Sequence, residues 1–154
     1  MTSCAHRGFP LTPPTLEIVL EDHLIQQVLC NDLEAAADRL PALPPLPTIR
    51  RLCDRIQHVT TTHFVRAERM FAALPPGLGP DEAALAALHR MHQLDEVHAQ
   101  DLIATLWQHA RLDERRNVEQ LAYMLRCCFD GCRRAIVLKE SWIAATGLAP
   151  VRPD

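Results

Sequence analysis

A chain of 154 residues, uniform in composition apart from short proline-rich joints, is about one domain long and large enough to bury a substantial core. Its formal net charge is -3, with 16 Lys and Arg dispersed among 19 Asp and Glu, so no basic stripe tracks phosphates and nucleic acid is excluded as an expected partner. No stretch approaches the roughly 18 consecutive apolar residues of a membrane span, and the N-terminus has no apolar signal region, so the expected setting is cytoplasmic, with no membrane partner.

The first 14 residues read as a tail. Pro13 and Pro14 end it, and a helix over about 15–39 follows, with Thr15 as N-cap and an inner seam of Leu16, Leu20, His23, Gln27 and Cys30. The prolines between Pro41 and Pro47 break the chain, because proline in a helix interior loses a hydrogen bond and clashes with the preceding turn. A second helix over 48–74, capped by Thr48, carries the clearest period: Ile49, Leu52, Ile56, Val59, His63, Ala67, Met70 and Leu74. Pro75, Pro76 and Pro80, with Gly77 and Gly79, form the next joint. A third helix over 81–110 starts from Asp81, with Ala84, Leu88, Met91, Leu94, His98 and Leu102 read as its seam. The joint near Asp113 has neither proline nor glycine. The fourth helix, 114–146, presents Leu121, Leu125, Cys128, Cys132, Ala135, Lys139 and Trp142, and Gly147 stops it. Residues 148–154 form a second tail. Short joints between helices of similar length predict an all-α, antiparallel, up-down-up-down four-helix bundle over 15–147.

Three helices thus each bring one histidine to the inner seam: His23, His63 and His98. A single buried imidazole is ordinarily satisfied by a carbonyl or hydroxyl. Three from separate rigid helices are a ligand set for zinc, iron or copper, since they bind a dication without buried net charge. His58, His89, His92 and His109 read as surface or flank residues, and His6 lies in the tail.

The stretches EDHLIQQVL (21–29), HFVRAERMF (63–71), LDEVHAQDLIATL (94–106) and AIVLKESWI (135–143) together resemble the ligand helices of the haemerythrin-like, or HHE, domain, in order and across nearly the whole chain. The resemblance implies a four-helix bundle built around a non-haem di-iron centre, used for oxygen binding or for oxygen, nitric oxide or iron sensing and repair. Carried over, His23, His63 and His98 match the histidines of the first three helices. The carboxylate expected four residues after His63 is Ala67, and Glu68 lies about 140° round the helix from His63. The histidine expected on the fourth helix is Ala135, and its carboxylate is Lys139, followed by Glu140. The resemblance therefore implies that the usual di-iron pair is not kept. It leaves a mononuclear iron on three histidines, with Glu68, Cys132 and Glu140 as additional ligand candidates, or no metal at all. Ferritin-like bundles fit worse, since they need Glu-x-x-His on each of two helices and only Asp95-x-x-His98 occurs.

Six cysteines without a C-x-x-C unit read as reduced thiols in a chain that needs no covalent staples. If His23 lies level with Ala135, Cys30 lies level with Cys128, and Cys132 is one turn away. Those three are candidates for a redox group, against the plainer role of small apolar packing residues. The leading functional expectation is a metal-binding or redox-, gas- or iron-sensing protein with an incomplete site. The alternative is a metal-free scaffold or regulatory interaction protein, with a protein partner or homodimer left open. A mononuclear iron or copper oxidase ranks last, because no acid or base is positioned for catalysis.

Overall fold

A computed structural model describes residues 15–111 and 117–148, and over these the chain is all-α, with no strand. The N-terminal tail with Cys4 and His6, the joint at Asp113 and residues 149–154 lie outside the described residues. Four helical rods form the fold. They are α1 (Leu16–Arg39), a continuous rod of α2 (Leu46–His58), a π-helical turn (Val59–His63) and α3 (Phe64–Ala72), then α4 (Glu82–Arg111) and α5 (Val118–Ala145).

Local chemistry sets the ends. The Thr15 hydroxyl accepts from the Ile18 N–H, the Asp81 carboxylate from the Ala84 N–H, and the Asn117 side chain from the Gln120 N–H, each satisfying a donor that the first turn leaves free. Two starts differ from the sequence reading. α5 begins at Val118 rather than 114, because Asn117 is the residue that caps it. α2 begins at Leu46, before Thr48, because Pro47 in a first turn sacrifices no hydrogen bond. Gly147, at φ +68°, supplies the left-handed residue that stops the chain after α5.

The π-helical turn falls on a run of β-branched residues, Val59 to Thr62, which crowd a regular helix. The Thr60 and Thr61 hydroxyls both donate to the Gln57 carbonyl, at 3.0 and 2.9 Å, which satisfies that oxygen while the backbone ladder widens. The wide turn ends on His63, so it governs how that imidazole enters the bundle.

Two apolar clusters hold the rods together. The larger one packs Leu29, Leu33, Leu52, Ile56, Leu102, Leu106, Leu121 and Leu125, and the smaller one packs Val19, Met70, Phe71, Leu88 and Ile143. Each fully buried aliphatic side chain contributes roughly 1.5–3 kcal/mol of apolar burial. A polar layer lies along the helices between the clusters: Asp22, His23 and Gln26 on α1, His63, His92 on α4, and Lys139 on α5, all buried. The clusters supply the stability that this layer consumes.

Side-chain pairs fix how α1 and α5 lie against each other. They run from His23 with Glu140, through Asn31 and Glu34 with Arg133, to Asp38 with Arg126, so α5 descends as α1 rises. No helix among the described residues is long and apolar enough to cross a membrane.

Candidate functional site

The seams bring a different set of histidines inward from the one expected. His23 and His63 are buried at 0% and 2% exposure, as placed from the sequence. His98 is exposed, and the third inward imidazole is His92, at 3%. The inner face of α4 runs Leu88, His92, Asp95, Ala99, Leu102, one residue out of phase with the apolar series Met91, Leu94 and His98, which faces outward. A one-residue step turns a helix by about 100°, so the whole middle of the seam moves with it. The same slip affects α1, where Gln26 is buried and Gln27 exposed. Of the remaining histidines, His58 and His89 are exposed and His109 is half-buried.

Each inward imidazole is held by a carboxylate at Nδ1. His23 donates to Glu140 at 3.3 Å, His63 to Asp22 at 3.1 Å, and His92 to Glu68 at 2.7 Å. Asp22 also accepts from Arg66, and Glu68 also receives His89. A carboxylate only accepts, so Nδ1 carries the proton and the Nε2 lone pair of each ring is left for the interior. Glu68 and Glu140 therefore do not enter the layer as inward carboxylates. Each stands behind a histidine, half-buried, and the 140° offset between Glu68 and His63 is what turns Glu68 toward α4.

At the centre lies Lys139, at 1% exposure. Its Nζ donates to His63 Nε2 at 3.4 Å and lies 5.3 Å from the centre of the Phe64 ring, which stacks on His92 at 4.0 Å. Among the described residues no carboxylate is within salt-bridge distance of it. The lysine's pKa is accordingly lowered to about 8, chiefly by burial. Burial first and Lys139 second push the histidines down as well, His63 to about 2 and His92 to about 4, with His23 lowered by the same two causes. The buried His23 Nε2, His92 Nε2 and Gln26 Nε2 have no hydrogen-bond partner.

These shifts predict the acid response. A histidine that stays neutral when folded but protonates near 6.5 when unfolded costs stability as pH falls below 6.5, by about 1.4 kcal/mol per unit per group. The urea midpoint should therefore drop steeply between pH 6.5 and 4, and His63→Gln and His92→Gln should each flatten that slope. An unchanged slope in both variants would contradict the neutral, Nδ1-protonated assignment.

The donor set fits a metal only in part. Three Nε2 lone pairs backed by carboxylates are how metal-binding histidines are usually oriented. Against that, Ala67 and Ala135 are buried without a donor atom, the Lys139 amine sits 3.4 Å from His63 Nε2, and His98 is outside. Among the described residues no group of three His, Cys, Asp or Glu is arranged to hold a metal ion. As arranged, the side chains do not fit a metal centre.

The cysteines also sit one turn from their expected register. Cys30 interacts most strongly with Cys132, one turn from the expected Cys128, in keeping with His23 meeting Glu140 rather than Ala135. Cys132 also donates to Gln26 Oε1 at 3.4 Å. Burial pushes Cys128 up to about 12, while the neighbouring Cys132 thiol lowers Cys30. The Cys132 thiol is likewise raised, by Cys30 beside it and by burial.

Gln26, Phe64, Asp95, Cys128, Cys132 and Lys139 line a cavity of about 440 Å³ whose outer rim takes in the exposed His98 and Tyr123. Sequence reasoning did not find this cavity, Gln26 or His92. The one available signal was the pairing of His89 and His92 one turn apart within reach of Glu68. Compared with family models, with curated proteins and with solved structures, the chain matches none.

Proposed function

We propose that the chain is a haemerythrin-like bundle in which an internal cation, Lys139, stands where the family holds metal, and that it works as a cytoplasmic, metal-free binding or sensing module. The observation that carries this reading is the buried Lys139 amine beside His63 Nε2, with Ala67 and Ala135 buried nearby in place of ligands. An ammonium there repels a dication and takes up one of the lone pairs a metal would need. The carboxylate-backed imidazoles support the ancestry, since three such pairs have no evident purpose in a bundle that never held a metal.

A second reading, as an interaction scaffold, is favoured by the exposed apolar residues Leu24, Ile25 and Val28 on α1, which suit a protein partner or a second copy.

Protein purified from iron-supplemented cells tests the first reading. It should carry no stoichiometric iron, copper or zinc and show no oxo-bridge absorption. Two irons per chain with such bands would overturn it. One metal per chain, lost in His63→Ala, would overturn it in favour of a mononuclear three-imidazole site.

A further inference from the structure

The cavity beside Lys139 has a polar end and an apolar body. At the polar end are two side chains that are almost fully buried, Gln26 at 2% and Lys139 at 1%. The Gln26 carbonyl already accepts from Cys132, which fixes the amide orientation and leaves its NH₂ as the free arm, with no partner. Lys139 has three N–H donors, and one of them is used, on His63. The cavity wall therefore holds unspent donors and a cation without a contacting anion. The rest of the lining is chiefly apolar, with Leu29, Leu33, Ile56, Val59 and Met124, and it is longest along α5, from Gln120 to Lys139. A volume of about 440 Å³ is in the usual range for a small-ligand site.

An unpaired buried cation and an unpaired amide donor both cost stability, and an acceptor-only anion satisfies the two together. We infer that the cavity binds a monocarboxylic acid with an unbranched apolar chain, its carboxylate received by the Gln26 amide and the Lys139 ammonium and its chain lying along α5. The inference deepens the metal-free reading and rests on it. Asp95 and Asp101 are the acidic residues of the lining, and of the two Asp95 interacts electrostatically with Lys139. It competes with the incoming carboxylate, so it restrains affinity.

Titration calorimetry with decanoate below its micellar range tests the inference, with methyl decanoate and decylamine as neutral and cationic comparisons. Decanoate should bind saturably at one site per chain, at least tenfold tighter than the ester, and decylamine should not bind. Lys139→Met and Gln26→Leu should each weaken decanoate at least tenfold while leaving the ester within about twofold, and Asp95→Asn should tighten decanoate severalfold. Circular dichroism checks that each variant is folded, and the two variants remove the polar end from different helices, so a folding failure in one leaves the other decisive. Absence of saturable decanoate binding, equal affinity for decylamine, or undiminished binding in a folded Lys139→Met or Gln26→Leu would overturn the inference. Metal analysis of the same preparation separates the two claims. Metal-free protein that ignores decanoate refutes only the ligand, whereas stoichiometric metal refutes the underlying reading.

Discussion

Replacing Lys139 by methionine should stabilise the fold at pH 7 by about 3 kcal/mol. The lysine titrates near 10.5 in an unfolded chain and at about 8 in the fold, and each unit of displacement is worth about 1.4 kcal/mol. The sign follows from the proton count. Between pH 8 and 10.5 the unfolded chain holds the proton and the folded one has lost it, so stability rises with pH across that window. Below pH 8 both forms are charged and the full burial cost is present. Methionine keeps the unbranched aliphatic shape, so the change leaves little empty space and removes the charge. Urea unfolding at pH 7 and pH 10.5 checks this: the variant's advantage should be full at the lower pH and largely gone at the higher. The buried thiols Cys53 and Cys128, raised to about 11 and about 12, oppose the wild-type gain above pH 9, because the unfolded chain loses those protons first. That contribution is common to both proteins and cancels in the difference. A variant less stable than wild type at pH 7 would mean that the lysine is favourably paired in the fold.

Expecting stability to increase on removing this side chain is an argument about purpose as well as energy. A residue that weakens the fold at every pH below 8 is kept for something other than folding. The same polar layer explains where the sequence misled. Helix ends were legible because their signals are local: prolines between rods, Thr15 and Asp81 as caps, and Gly147 as a stop. The seam of α2 and α3 was legible because Ile49, Leu52, Ile56, Ala67 and Met70 obey the rule that apolar residues go inside. The site-bearing halves of α1 and α4 break that rule. Leu24, Ile25 and Val28 are exposed while Asp22 and Gln26 are buried, and Leu94 and Val97 are exposed while His92 is buried. A hydrophobic period read there follows the outer face. The error was one residue in phase, which exchanged His92 for His98. The depth of α5 against α1 was likewise out of reach, since it is set by ion pairs between helices distant in sequence, such as Asp38 with Arg126.

The largest gain of function should come from restoring what the family resemblance finds missing. In a triple variant, Ala67→Glu, Ala135→His and Lys139→Glu, the chain should bind two irons, where the proposed metal-free reading expects none in the wild type. Ala67 lies one turn beyond His63 on the same face of the rod, and Ala135 one turn before Lys139 on α5, and all three positions are buried at 7% exposure or less. The imidazoles already have their tautomer set, since Glu140, Asp22 and Glu68 hold their Nδ1 atoms. Two buried carboxylates in place of an alanine and a lysine are costly without a cation, so the apo variant should be less stable than wild type. Iron at a hundredfold excess over its dissociation constant then restores about 2.7 kcal/mol. The measurement is iron content together with an iron-dependent rise in melting temperature, which the Lys139→Glu single variant should not match. Adding His92→Ala should abolish the effect and adding His98→Ala should leave it, because His92 faces the layer and His98 faces solvent. Iron held through His98 instead would show that α4 presents the outer of its two competing faces. A folded triple variant that takes up no iron would confine the haemerythrin resemblance to the fold and leave the histidine layer to be explained by Lys139 alone.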